Sequence, residues 1–322
     1  MSENSPQTQL HLDVSSLVNE AEHIVTLELR EKTGLPLPAF EPGSHLELHL
    51  PNGLVRHYSL YNDCTERHRY CIGVGLAHNG HGGSRYIHDV VRCGDTLAVS
   101  PPKNNFHLVP NATDYCFIAG GIGITPILSM IRWCIRNGKP WRLYYCARSR
   151  PRAAFHDEIR RLGSGNVLFH FDDEHPGRLF DPTEALRGLS PTTHVYCCGP
   201  APLMVAVLNM TSAGTDDRVH FEWFSPRPLD GPKNTPFTVL IHSSGKHLPV
   251  PEDRSILSVL EDHGILIPSS CREGLCATCE TAVIAGIPDH RDSVLSPERR
   301  AANRTMMVCV SRAKSQILEL DL

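Results

Sequence analysis

The residues Cys271-Arg272-Glu273-Gly274-Leu275-Cys276-Ala277-Thr278-Cys279, with Cys309 further on, decide how this chain is read. Their spacing, C-x4-C-x2-C…C, suits a 2Fe–2S cluster. A tight loop wraps one side of such a cluster and supplies three thiolates, while a distant strand supplies the fourth. Gly274, Ala277 and Thr278 are small enough for backbone N–H groups to approach the sulfides, and hydrogen bonds to sulfur help set a redox potential. A structural zinc site is the rival. Zinc usually takes paired C-x2–4-C knuckles from two hairpins, and only one such pair is present. The alternative from a different class is thus a non-catalytic, zinc-stabilised binding module.

The 322 residues around this loop are enough for two or three domains, each with its own core. An apolar fraction of 41% and a charged fraction of 20% are ordinary for a globular protein. A net charge of −4 leaves no basic footprint, so nucleic acid is not an expected partner. No stretch approaches the ~18 apolar residues of a membrane span. The opening MSENSPQTQL lacks the features of a secretory signal. The expected location is the cytoplasm, with no membrane partner. Eight further cysteines, at 64, 71, 93, 116, 134, 146, 197 and 198, sit mostly in apolar stretches, where a thiol acts as a small hydrophobe. The clustered four point to metal rather than disulfides.

Three rhythms run along the chain. Residues 8–108 read as short strands (23–30, 44–49, 70–74, 96–100) broken by Pro and Gly, the pattern of an antiparallel β-barrel, with one short helix beginning at Ser84. Residues 112–224 alternate apolar strands (115–119, 143–146, 167–171, 194–198, 219–222) with helices, the first over 127–135. This is the signature of an α/β domain on a parallel sheet. Residues 225–236, rich in proline, read as a semi-rigid linker. Residues 237–322 form a third unit, with a hairpin (237–242, 247–250), a helix near 255–263, the cysteine loop, and strands at 281–284, 306–310 and 317–320.

Two loops in the middle segment carry chemistry. Gly120-Gly121-Ile122-Gly123-Ile124-Thr125-Pro126 joins a strand to a helix, where glycines let backbone approach a phosphate and the helix N-terminus favours negative charge. Pro126 suits the first helical turn. Such a turn alone says little, since glycines also serve simple tight turns. Cys197-Cys198-Gly199-Pro200 ends a second strand in the same way, and two such loops on one parallel sheet make a dinucleotide crevice. Asp172 and Asp173 could bind ribose and repel a 2′-phosphate, which favours NADH. Arg148 and Arg150 could hold a 2′-phosphate, or be solvated surface.

Residues 235–322 resemble plant-type ferredoxin domains through Cys271, Cys276, Cys279 and Cys309. The likeness implies an α+β, β-grasp fold and one-electron transfer. The two glycine loops resemble those of the ferredoxin–NADP reductase superfamily, which implies that Gly120, Gly121, Gly123, Thr125 and Pro126 hold the pyrophosphate. Cys198, Gly199 and Pro200 would then lie beside the nicotinamide. Arg56-His57-Tyr58-Ser59-Leu60 resembles that superfamily's R-x-Y-S flavin motif: an arginine for phosphate, an aromatic ring to stack, and a hydroxyl near flavin N5. Gly80-His81-Gly82-Gly83-Ser84 would cradle the flavin phosphate, with Thr125 also near the flavin. His81 stands where relatives often have arginine.

The whole chain, in the order flavin, nucleotide, ferredoxin, resembles the phthalate dioxygenase reductase and vanillate O-demethylase reductase family. The resemblance implies a multidomain oxidoreductase that moves hydride from NADH to FMN and single electrons through the 2Fe–2S cluster to a Rieske-type terminal oxygenase. A cytochrome P450 is the alternative acceptor. No side chain need act as acid or base; Ser59, Cys198 and Phe224 line the hydride-transfer site, with Trp223 and Phe224 as candidate aromatic gates or buried linker contacts. Asp289-His290-Arg291-Asp292 reads as a charged surface turn. Ser296-Pro297 reads as an N-cap followed by Pro at the first helical position.

Overall fold

The computed structural model describes residues 9–77, 82–163, 165–211, 217–226 and 234–322. It divides into two compact units, Met1–Glu222 and Trp223–Leu322.

The first unit opens with β1 (Leu10–Ala21), β2 (Ile24–Arg30), β3 (Ser44–His49), β4 (Val55–Ser59), β5 (Tyr70–Gly75), α1 (Gly83–Asp89), β6 (Thr96–Val99) and β7 (Lys103–Asn104). The strands pair antiparallel in the order β4-β3-β6-β1-β2-β5, with β7 on β3. A bridge between Leu60 and Ile72 joins the two end strands and closes the barrel. Leu12, Leu27, Leu46, Leu48, Leu60 and Val99 fill its interior. The long β1 does not stand out in the sequence, and its pairing with β2 shows why. Register shifts between Val14 and Ser16 and between Asn19 and Ala21 interrupt the period-two alternation that marks a strand.

The parallel sheet follows with β8 (Tyr115–Gly120), α2 (Ile124–Arg136), β9 (Trp141–Ala147), α3 (His156–Leu162), β10 (Val167–Phe171), α4 (Pro182–Leu186), β11 (His194–Cys198), α5 (Ala201–Met210) and β12 (Val219–Glu222). The order β10-β9-β8-β11-β12 reverses direction between β8 and β11. That is the switch point where ligands of open α/β sheets bind. Every residue of β8 is buried. Ile127, Leu128 and Ile131 of α2 are buried against the same sheet, each worth about 1.5–3 kcal/mol. Barrel and sheet are tied within the unit. Ser129 Oγ donates to Asn62 O (3.1 Å), and Arg132 Nη1 donates to Tyr61 O (2.6 Å). A Cβ on Gly73 would lie 2.9 Å from Thr125 Cγ2, so this barrel strand has room for α2 only because it carries glycine.

The second unit contains β13 (Phe237–Ile241), β14 (Lys246–Val250), α6 (Ile256–Asp262), β15 (Glu280–Ala285), β16 (Pro288–Asp289), α7 (Pro297–Ala302), β17 (Thr305–Met307), β18 (Arg312–Ala313) and β19 (Ile317–Leu320). The sheet order is β14-β13-β19-β15-β17, with β13 and β19 parallel. This mixed sheet with α6 packed on it is the expected β-grasp arrangement. Ser255 caps α6 by accepting from Ser258 N (3.1 Å), and Ser296 caps α7 with Pro297 at its first position. One expectation shifts. The strand predicted over 306–310 stops at Met307, and Cys309 lies in a turn closed by Ser311 N donating to Met307 O (3.0 Å). Among the described residues no helix is long and apolar enough to cross a membrane.

Candidate cofactor sites

The cysteine loop shows its purpose in its backbone. Arg272, Gly274 and Ala277 have φ of 56°, 72° and 61°, a left-handed conformation that costs a non-glycine residue about 1–2 kcal/mol. The distortion aims N–H groups inward: Glu273 N and Leu275 N each donate to Cys271 Sγ at 3.4 Å. Cys276, Cys279 and Cys309 are buried, and Cys271 is half-buried. The thiols approach in two pairs, Cys271 with Cys276 and Cys279 with Cys309. Hydrogen bonding within the pairs pushes Cys271 and Cys309 up and holds Cys279 down. Two pairs fit a cluster of two irons with two thiolates on each, whereas zinc needs four donors around one ion.

At the switch point the glycines behave in two ways. A Cβ on Gly123 would lie 2.3 Å from Cys198 O, and one on Gly120 2.5 Å from Pro200 Cδ. One on Gly199 would lie 2.9 Å from Gly120 N. These three glycines let the two loops touch. Gly121 differs, with φ 53° and open space where a Cβ would be, so it is the glycine whose backbone faces a free crevice. Thr125 is turned inward, 1% exposed, with Oγ1 donating to Ile122 O (2.9 Å). Pro126 is buried in the first turn of α2. At the end of β10, Asp172, Asp173 and Glu174 form a short turn. Arg150 lies over the Phe171 ring (4.9 Å to its centre) and 3.3 Å from Glu174, while Arg148 is exposed. A cleft of about 550 Å³ lined by Asp114, Trp141 and Val167 lies at the amino ends of β8, β9 and β10, away from this crevice.

In the barrel, Arg56 lies across Gly83. A Cβ there would fall 2.5 Å from Arg56 Nε. The cation and the glycine turn (Gly82, φ 85°) thus adjoin, a charge and a backbone concavity suited to a phosphate. Ser84 Oγ accepts from Ala77 N (3.1 Å). Tyr58 is half-buried, and Leu60 is spent on the barrel core. Gly80 and His81 lie outside the described residues.

Barrel and sheet meet at Ser59, whose Oγ donates to Glu222 Oε2 at 3.4 Å. Glu222 is in register with Cys198 on the neighbouring strand. Burial pushes the Cys198 thiol well up, helped by the Glu222 charge. Burial likewise lifts the Glu222 carboxyl to about 8, with the Ser59 hydrogen bond acting against the rise, although the residue as a whole keeps partial access to solvent. Glu222 is not among the residues that the sequence motifs single out for this site. The signal for it was a carboxylate closing an otherwise apolar terminal strand, at the end of the sheet where ligands bind. Phe224 lies in the second unit and is 41% exposed, and Trp223 beside it is buried.

This architecture defines a class: a pyridine-nucleotide oxidoreductase with an iron–sulfur domain in the same chain. Residues 117–209 match the oxidoreductase NAD-binding domain family, and residues 239–314 match the 2Fe–2S iron-sulfur cluster binding domain family. The reductase subunit of phthalate 4,5-dioxygenase from Pseudomonas putida is 44% identical, covering 97% of this chain and 96% of its own. The solved phthalate dioxygenase reductase, described as a modular structure for electron transfer from pyridine nucleotides to 2Fe–2S, is 43% identical. It covers 98% of each chain with a TM-score of 0.72. The chain belongs to the phthalate dioxygenase reductase family. An intact type IV self-sufficient cytochrome P450 monooxygenase also matches, at 37% identity and TM-score 0.88, with this chain covering 41% of its length.

Proposed function

We propose that the chain is the NADH-dependent reductase component of an oxygenase system, working in the cytoplasm with FMN and a 2Fe–2S cluster and delivering electrons to a Rieske-type terminal oxygenase. The observation that carries the reading is the meeting of barrel and sheet at Ser59, Cys198 and Glu222, beside the paired glycine loops. When bound, these groups supply hydride transfer from nicotinamide to flavin and one-electron transfer from the cluster. The protein's residues hold and orient. Arg56, with Gly82, Gly83 and Ser84, takes the flavin phosphate. Tyr58 and Ser59 face the flavin ring, and Thr125 contributes through its backbone.

Gly120, Gly121 and Gly123 shape the pyrophosphate loop together with Pro126, while Cys198, Gly199 and Pro200 receive the nicotinamide. Asp172, Asp173 and Glu174 disfavour a 2′-phosphate, and Glu174 neutralises Arg150, which supports NADH. Cys271, Cys276, Cys279 and Cys309 ligate the cluster. The corresponding division is 8–108 for the flavin barrel, 112–224 for the nucleotide domain, 225–236 for the linker and 237–322 for the ferredoxin domain.

The dioxygenase relatives favour a Rieske partner, and the P450 neighbour supplies the second reading. Stopped-flow mixing of NADH-reduced protein with a purified Rieske-type aromatic-acid oxygenase, and separately with a P450 haem protein, tests the choice. Reduction of the Rieske centre is expected to be at least tenfold faster. Transfer to the haem protein alone would reverse the assignment, and failure of NADH to bleach the flavin band would remove it.

A further inference from the structure

Asp289-His290-Arg291-Asp292 has the composition of a surface turn, and its first three residues are partly exposed, but its last is buried. Asp292 is 1% exposed, and only 8% of the His290 side chain is exposed. Asp292 lies directly behind the cysteine loop: a Cβ on Gly274 would sit 3.0 Å from Asp292 Cα and 2.6 Å from Val310 Cγ2. Ser293 N donates to Gly274 O (2.9 Å). Gly274 is therefore held between this segment and the neighbour of Cys309.

We propose that Asp292, flanked by His290 and Arg300, is a positioning residue that braces the cysteine loop and tunes the potential of the cluster through its buried charge. The proposal rests on the four thiols holding that cluster. Oδ1 of Asp292 accepts from Val294 N (2.9 Å) and Leu295 N (2.7 Å), so the carboxylate fixes the segment that grips Gly274. Arg300 Nη2 donates to Asp292 O (2.5 Å) and lies 3.7 Å from Oδ1. His290 Nε2 bonds Asn303 Oδ1 (3.2 Å), while its Nδ1 is 4.0 Å from Asp292 Oδ2.

Three buried atoms, His290 Nδ1, Asp292 Oδ2 and Arg300 Nε, make no hydrogen bond within the protein. Burying such groups is costly, and polar groups at this spacing are commonly bridged by ordered water. A network kept at that cost beside a redox centre acts through charge. A nearby carboxylate opposes the arrival of an electron, and the guanidinium offsets it.

The test is potentiometric titration of the cluster in the purified full-length holoprotein, followed by the EPR signal of its reduced form, with iron content measured alongside. Asp292→Asn is expected to favour reduction by at least threefold in the one-electron equilibrium, ~30 mV at 59 mV per decade. Arg300→Gln is expected to shift it by a similar factor the other way. A purely structural brace would move iron retention without this opposition of sign. If Asp292→Asn fails to retain iron, the downward shift in Arg300→Gln alone decides. Any other pattern, including two unchanged potentials or two shifts of one sign, overturns the proposal. Absence of iron from the unmodified protein would instead strike the cluster assignment.

Discussion

The cysteine loop of residues 271–279 and the glycine loop of residues 120–126 are both proposed cofactor loops, but they use residue type differently. In the first, the side chains are the proposed ligands. Their spacing is dictated by the object held, and Arg272 and Ala277 accept left-handed backbone to satisfy it. In the second, the proposed recognition falls to the backbone. Gly120, Gly123 and Gly199 are needed so that the two loops can touch, and only Gly121 leaves open space. A motif of ligating side chains therefore names its chemistry, whereas a motif of glycines names only a clearance.

Removing a ligand has the largest expected effect. Cys276→Ser leaves one thiol pair incomplete, and iron content and the iron–sulfur absorption should fall at least about tenfold. NADH should still bleach the flavin band, because the glycine loop and the Ser59 region lie in the other unit. Zinc, not iron, in the unmodified protein would erase the distinction between the loops in favour of a structural metal.

The glycine loop can be split against itself. A methyl at Gly123 would lie 2.3 Å from Cys198 O and 2.5 Å from Cys198 C, both backbone atoms. Gly123→Ala should thus part the loops and destabilise the first unit by about 1–3 kcal/mol, seen as a lower urea midpoint with weaker NADH binding. Gly121→Ala meets no neighbour within 4 Å, and its cost is the backbone strain alone, about 1–2 kcal/mol. Its signature should be a raised KM for NADH at nearly unchanged kcat. Equal urea midpoints for the two variants would contradict the separate roles.

The same contrast governs what the sequence made legible. The cysteine spacing, the succession of strand-rich and alternating segments and the cap Ser296 are written in residue type and period. The extent of β1 is hidden by its bulges, and the turn at Cys309 by the apolar run around it. Asp292 is hidden because a buried carboxylate and a solvated one have the same composition. Thr125 and Leu60 fall within motifs, yet their side chains face inward, and only packing reveals that. Glu222 depends on a contact with Ser59 across 163 residues, which no local pattern contains.

Glu222 also provides the smallest and most specific test, because it belongs to neither loop and stands where barrel and sheet meet. An unfolded glutamate releases its proton near pH 4.3, whereas the folded carboxyl is lifted to about 8 by burial. Between those values the folded chain keeps a proton that the unfolded chain has lost, so stability falls as pH rises through the window. Below it both states are protonated and the contribution is flat. Glu222→Gln remains neutral throughout and should flatten the decline, so the variant gains on the parent in urea midpoint between pH 5 and pH 8. Partial solvent access at Glu222 keeps the gain below the loss expected for Gly123→Ala. A midpoint difference between parent and variant that does not change with pH would mean that this carboxylate ionises normally, and that Ser59 donates its hydrogen bond to a charge rather than to a neutral acid.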